Sequence, residues 1–458
     1  SSAPTHQITC DEILRLFCEL RRVVTTQFRT PHSLFRVQMY FRLSRFLLPL
    51  VLTIVIQEFG GQFLNGGMAR LPNAAETLAA YGLAWGLVLL ITAPIAQSAP
   101  MSLVLAANRR DFGKAMRYVL SAAALLILLQ IALAVTPIGR WVIDDLHRIG
   151  PALGDLVRTV LLWSLPVIPL RGLALLLTGQ LIRVKRTAVI SYATTASVAV
   201  GIGLVFALLP VAWVQARPIL LPVIAALGMA VTEWGVLALG FRRYVQLEEV
   251  EGEGALRYRE IVGFVWPLAL MTLVQEFSRP LINLFIARQS DGAFALAVLA
   301  VVYSLGQWPF RWQNEMRTLP PTFNEDDPGL LYTRRFMVLC GMLSVSISLV
   351  LFWTPVRDFL LMEAIGVDPA FAAQADAPLR LFVAFSPVVA FRAWLHGLAY
   401  WKRRTRVMAP SGPVRLVAIL LALVLLPLTG LHGVTLGVAA LLAGFTAETA
   451  TVWWGMRG

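Results

Sequence analysis

The sequence predicts an all-α polytopic membrane protein, with 12 transmembrane helices in two pseudo-symmetric six-helix bundles. Three observations carry this. Of the 458 residues, 58% are hydrophobic and 14% charged, with a mean hydropathy of +0.71; a soluble domain carries about 25% charged residues. Apolar runs long enough for a hydrocarbon core, which takes ~20 residues, recur along the whole chain. The polar signature of the first run returns 218 residues later.

The first 38 residues lack the uninterrupted apolar stretch of a signal peptide. Ile13, Phe17, Leu20 and Val24 recur at helical spacing beside Arg15, Arg21 and Arg22, which predicts a basic amphipathic helix on the membrane surface. Spans are then expected at 41–66, 76–107, 115–138, 153–181, 187–211, 217–240, 258–287, 292–313, 334–356, 376–400, 409–429 and 432–456. The expected organisation is a cytoplasmic basic segment (1–40), an N-terminal bundle (41–246), a cytoplasmic linker (247–257) and a C-terminal bundle (258–458). Pro49, Pro94, Pro166, Pro267, Pro309 and Pro387 fall inside spans. Each marks either a helix kink or a stretch facing protein or a wet cavity.

The formal charge is +13, with 39 Lys and Arg against 26 Asp and Glu. Most basic residues fall on alternate connections, beginning with the segment before the first span. The intervening loops hold Arg70, Arg140, Arg148, Arg217, Arg288 and Arg357. The positive-inside rule therefore expects both termini in the cytoplasm and an integral protein of the plasma (inner) membrane. It also explains the basic balance without nucleic acid: the partners expected are membrane lipids and a small anionic substrate. Cys10, Cys18 and Cys340 are too scattered for a disulfide framework or a zinc site. No nucleotide-binding glycine loop or metal-ligand motif occurs, so no cofactor, metal or catalytic residue is expected.

The repeat is specific. Pro49-Leu50, Gln57-Glu58-Phe59, Asn65 and Arg70 recur as Pro267-Leu268, Gln275-Glu276-Phe277, Asn283 and Arg288. Pro166…Arg171 is echoed by Pro387…Arg392, and Glu233…Gly240…Arg242 by Glu448…Gly455…Arg457. Equivalent spans lie six apart and so cross in the same direction, a parallel repeat known among transporters. Two such bundles leave a cleft that alternating access can open to either side.

Ionisable residues inside spans are costly and hence functional candidates. The basic ones are Arg171, Arg279, Arg311, Arg380, Arg392 and Arg415, with His396 one helical turn from Arg392; the acidic ones are Glu58, Glu276, Glu233 and Glu448. Arg279 and Asn283 share one helix face, as do Arg392 and His396. Guanidinium groups bind carboxylates and phosphates bidentately, so an arginine-rich cleft suits an organic anion. The competing reading makes each arginine the neutralising partner of a glutamate, with the four glutamates serving as coupling or structural charges.

Several blocks resemble the progressive ankylosis (ANK) transporter family. They include Ser278-Arg279-Pro280-Leu281-Ile282-Asn283-Leu284-Phe285, Phe352-Trp353-Thr354-Pro355, Pro378-Leu379-Arg380, and Leu441-Leu442-Ala443-Gly444-Phe445. Leu64-Asn65 and Tyr81-Gly82-Leu83-Ala84 match in the first half. The resemblance spans about residues 40–457. It implies a fold of the multidrug/oligosaccharidyl-lipid/polysaccharide exporter superfamily and export of pyrophosphate, ATP and citrate-type carboxylates. Arg279, Asn283, Glu315, Arg317, Arg380, Arg392 and Arg415 sit at matching positions. The family's Arg-Ala-His-Leu pattern is here Arg392-Ala393-Trp394-Leu395, with histidine displaced to His396. The expected substrate-binding set is therefore Arg279, Asn283, Arg317, Arg380, Arg392, His396, Asn65 and Gln57, acting by rocker-switch alternating access. The alternatives are a cation-coupled multidrug exporter and a lipid-linked flippase of the same fold. The oligomeric state is left open, since nothing separates lipid-facing from subunit-facing surface.

Overall fold

The structure, a computed structural model, describes residues 31–147, 149–249, 256–288 and 292–457. The expected surface helix over Ile13–Val24, and Glu251 and Glu253 of the expected linker, lie outside the described residues. Ten helices are long and apolar enough to cross a membrane, and two bent pairs complete a set of twelve. They are α1 (Arg36–Met68), α2 (Glu76–Leu105), α3 (Arg109–Val135), α4 (Pro151–Trp163 with Val167–Arg183), α5 (Thr187–Leu208), α6 (Leu220–Tyr244), α7 (Tyr258–Ala287), α8 (Phe294–Gly306 with Arg311–Phe323), α9 (Leu331–Trp353), α10 (Pro369–Trp401), α11 (Thr405–Thr429) and α12 (Gly433–Arg457). No strand occurs among the described residues.

Both bent spans break next to a proline, which supplies no N–H to the helix ladder. At the α4 break the halves meet at 46°, and buried Gln130 donates to the Leu161 carbonyl at 2.7 Å and to Ser164 Oγ at 3.1 Å. At the α8 break the angle is 45°, and Ser344 Oγ donates to the Pro309 carbonyl at 2.6 Å. Side chains from α3 and α9 thus satisfy backbone groups that lipid would leave bare.

The α8 break also changes the helix type. Arg311–Thr318 is a 3-10 helix, in which residues three apart eclipse one another. Arg311, Asn314 and Arg317 consequently stand in one row. The apolar run ends at 313 because this turn is polar, but the span continues to Phe323, with Leu319 and Phe323 buried. Arg317 therefore belongs to a broken span rather than to the connection after it.

The repeat persists in the backbone. Thr187 Oγ1 donates to the Phe46 carbonyl at 2.8 Å, and Thr405, 218 residues later, donates to that of Phe264 at 2.9 Å. Lys185 and Arg403, again 218 apart, both take the left-handed conformation, with φ of 59° and 53°.

The two halves meet at their arginine-rich ends. The largest apolar cluster draws from both: Leu43, Phe46 and Leu105 of the first half pack with Phe264, Phe323, Phe336 and Tyr400 of the second. Phe46 meets Phe323 edge-on at 5.2 Å, and Tyr40 lies 6.3 Å from both Tyr332 and Phe336. Asp326, on the loop after α8, pairs across the seam with Arg42 at 2.7 Å and with Lys185. Towards the other end the described cores separate. One cluster contains only first-half residues such as Tyr81, Val160 and Leu221, and another only second-half residues such as Val298, Phe382 and Leu436.

Candidate functional site

The two halves treat their repeated charges differently: Arg392 and Glu448 are buried, whereas Arg171 is exposed and Glu233 half-buried. In the second half Glu448 of α12 is fully buried. Its Oε2 accepts from Arg415 Nη1 at 2.8 Å, and both its oxygens lie 3.2 Å from Arg392 Nη1. Gln275 Nε2 donates to Oε1 at 2.7 Å. The arginines are tied in turn, Arg415 Nε to Ser278 Oγ at 3.1 Å and Arg392 Nη2 to Asn314 Oδ1 at 2.7 Å. Both guanidinium groups lie over the Phe445 ring, at 4.6 and 4.2 Å from its centroid. An unpaired buried carboxylate would cost several kcal/mol; here three donors satisfy it, and two full positive charges answer one negative.

Local structure explains how four elements converge. Arg392 and His396 are one turn apart on α10, so His396 Nε2 comes within 3.8 Å of Glu448. Asn314 reaches Arg392 because it stands in the 3-10 row. Gly444, one turn before Glu448 on α12, keeps space for Arg415, since a Cβ there would lie 3.1 Å from Arg415 Cγ and 2.7 Å from Ile419.

In the first half Arg171 and Glu233, the repeat partners of Arg392 and Glu448, line a cavity of about 370 Å³ with Gln57, Tyr81, Trp85, Thr178, Thr194 and Ser197. They interact electrostatically but are not among the ion pairs within 4.0 Å found in the described residues. Carried forward at the offset of 218, the place of Arg415 falls to Ser197. The Thr194 hydroxyl, buried on the cavity wall, makes no hydrogen bond among the described residues. The same charge pair is thus filled in by side chains in one half and left beside open space in the other.

Between the halves, Glu58 of α1 pairs with Arg311 of α8, both side chains half exposed. Arg279 lies 5.3 Å over the Tyr303 ring, within electrostatic reach of Arg311 and Glu276. Arg279, Glu276 and Asn283 are exposed. Gln97 of α2 donates to Thr272 of α7 at 2.9 Å.

The expected binding residues therefore divide. Arg392 and His396 join Glu448, Gln57 joins Glu233, and Arg279 and Asn283 share an open face. Arg317 lies deeper, beside Glu315 and Tyr400. Asn65 is exposed farther along α1. Arg380 sits at the opposite end, bound to Asp376 at 2.9 Å and lying 5.5 Å over Trp353. Sequence reasoning left Arg415, Gln275 and Asn314 out of the site. Gln275 was readable as the repeat partner of Gln57; nothing local marks Asn314.

Two six-helix halves with repeated charges inside their spans and a shared core at one end define a multi-pass membrane transporter. Solved structures with this fold include a eukaryotic MATE transporter, AtDTX14 (TM-score 0.68, 13% identity, covering 92% of this chain and 96% of that one). They also include an outward-facing multidrug resistance MATE family transporter of the MOP superfamily (0.67, 16%, 91% and 95%). A third is a MOP superfamily transporter from Pyrococcus furiosus, described by the reverse polarity of its binding pocket as suggesting a different function (0.62, 14%, 91% and 95%). Residues 32–354 match the progressive ankylosis protein (ANKH) family, and the chain belongs to that family.

Proposed function

We propose that this transporter exports anionic metabolites, of the pyrophosphate, ATP and citrate type, by rocking its two halves about the cleft between them. The observation that carries this reading is the excess of guanidinium over carboxylate around Glu448. Arg415 neutralises that carboxylate at 2.8 Å, while Arg392 stands farther away at 3.2 Å and holds Asn314 with its other nitrogen. A substrate carboxylate or phosphate that displaced Asn314 would meet a guanidinium whose partner is already satisfied. Arg279, on the open face, would meet the same anion's second charged group. Bidentate pairing in a low-dielectric site makes such contacts strong and geometrically selective.

In this reading the arginine-rich end is cytoplasmic, both termini lie on that side of the plasma membrane, and the described state is open to the outside. Inward opening then requires parting Phe46 from Phe323 and releasing Asp326 from Arg42 and Lys185. The rocker-switch motion needs two such arrangements of comparable energy.

The test is efflux of labelled citrate, pyrophosphate and ATP from proteoliposomes, with and without a pH gradient. Arg392→Lys and Arg279→Ala are expected to reduce efflux at least tenfold while the purified protein stays monodisperse. Unchanged efflux of all three anions in both variants would refute the proposal. A second reading, cation-coupled multidrug export, is favoured by the exposure of Glu58 and Glu276. It requires an organic cation to be expelled at the expense of a proton or sodium gradient in the same vesicles, with loss in Glu276→Gln.

A further inference from the structure

A cavity of about 660 Å³ opens at the arginine-rich end, on the seam between the halves. Arg259 and Gly263 of α7, Arg403 and Arg404 of the turn before α11, and Arg406 of α11 line it from the second half; Leu105 lines it from the first. The one carboxylate in the lining, Glu260, is engaged elsewhere, accepting from the Arg257 backbone N–H at 3.0 Å as the cap of its own helix. Arg403 Nη2 donates across the seam to the Val104 carbonyl at 3.3 Å.

The repeat shows what is missing. In the first half the equivalent corner holds Lys185, the partner of Arg403, together with Arg42, and Asp326 from the loop after α8 inserts between them. That loop, 324–330, carries Glu325, Asp326 and Asp327. Its counterpart after α2 is the three residues Ala106-Ala107-Asn108, which carry no carboxylate. Among the described residues, no acidic loop inserts into the second-half corner as Asp326 does into the first. Arg259 and Arg406 stand 218 residues beyond Phe41 and Ala188, while Glu260 and Gly263 replace Arg42 and Arg45, so the corner keeps four basic residues at shifted positions. Four guanidinium groups converge where one half-site neutralises itself and the other does not. Arg259, Arg403 and Arg406 are exposed and Arg404 is half-buried, so water screens them from one another and their donors stay available to an anion.

We propose that this seam cavity binds a terminal phosphate group, supplied either by the headgroup of phosphatidic acid, an anionic phospholipid, or by free phosphate. The chemistry fits because arginine presents paired donors to phosphate oxygens, and the cavity lies at the depth where α7 and α11 begin. Its position also links occupancy to conformation. Leu105 and Val104 belong to the other half, so the cavity in this form exists only while the arginine-rich ends are packed together.

The experiment uses the full chain purified in neutral detergent, titrated with phosphatidic acid or phosphatidylcholine and read by native mass spectrometry. Phosphatidic acid is expected to be retained preferentially. Arg403→Gln with Arg406→Gln is expected to weaken that retention about tenfold, the equivalent of roughly one charge-assisted hydrogen bond. Gly263→Leu keeps every charge and fills the cavity instead. A Cβ at Gly263 meets only Arg406 Nη2, at 3.6 Å, so the variant folds, and its retention is expected to fall equally. A second arm adds inorganic phosphate. Displacement of the lipid, with a rise in thermal midpoint that both variants lose, identifies free phosphate as a ligand; no displacement identifies the lipid headgroup. Equal retention of the two lipids together with no thermal response to phosphate would overturn the proposal, as would full retention in both variants. Neither variant touches Arg279, Arg392 or Glu448, so this outcome is independent of the efflux test.

Discussion

The two halves of this transporter carry the same intramembrane triad of Gln, Arg and Glu and resolve it in opposite ways. Around Glu448, Gln275 and Arg392 are joined by Arg415, Asn314 and Ser278, and the carboxylate has no exposed surface. Around Glu233, Gln57 and Arg171 face a cavity, and Ser197 stands where a second arginine would be. One half has a closed charge cluster with more guanidinium than carboxylate, and the other an accessible polar pocket. A duplicated scaffold can thus specialise by one or two substitutions, because the helix positions are shared while the side chains that fill the space are not.

The sharpest way to break this comparison is to neutralise each glutamate. Glu448→Gln leaves two guanidinium groups facing a neutral amide, and removing one member of a buried pair costs about 3–5 kcal/mol. Glu233→Gln, beside accessible space and without a close ion pair, is expected to cost about 1 kcal/mol or less. Thermal midpoints of the two variants in the same detergent measure the difference. Equal midpoints would mean that the halves are energetically alike despite their geometry.

A smaller effect is expected at the seam. Partial burial opposes ionisation of Asp326, but hydrogen bonds and attraction from Lys185 and Arg42 outweigh it and hold the carboxyl below its ordinary range. A depressed acid contributes stability above its unfolded value of about 3.9 and loses it as pH falls through the folded one. Packing of the arginine-rich ends is therefore expected to be complete at neutral pH and to weaken only below about pH 4. Spin labels placed through Val37→Cys and Leu331→Cys would report the separation. In Asp326→Asn this pH dependence should vanish, with closure at neutral pH weakened by about 1 kcal/mol or less, the worth of a partly exposed pair, and equal to that of the unsubstituted protein at low pH.

The smallest effect is predicted at Arg380. It is exposed, and Asp376 keeps Arg357 as a second partner. Arg380→Ala should shift stability by no more than about 0.5 kcal/mol and leave efflux intact. A large loss of efflux would place a substrate contact at the end of α10 away from the arginine-rich end.

Much of the fold was legible because hydropathy acts locally. The twelve spans and the 218-residue repeat follow from runs of apolar residues and from Gln57-Glu58-Phe59 returning as Gln275-Glu276-Phe277. The breaks at Pro166 and Pro309 were legible as choices between a kink and a cavity, and the structure shows kinks whose carbonyls are covered by Gln130 and Ser344. The change of α8 to a 3-10 turn was not legible. Its residues after 313, Asn314 to Thr318, read as a polar connection by composition, and only burial by neighbouring helices keeps them inside the span.

The candidate site was half legible. Arg392, Glu448 and Gln57 stood out because an ion or amide in an apolar run is rare. The competing reading of arginines as partners of glutamates holds for Arg392 and Arg415 at Glu448 and for Arg311 at Glu58. By itself, then, the sequence determined how many helices are apolar enough to cross the membrane and which charges lie within them, since each depends on transfer energies of short segments. Tertiary structure alone decided which charge meets which. Glu448 takes its partners from residues 33, 56 and 173 positions away, and such pairings depend on the rotation and depth of whole helices, which only their packing sets.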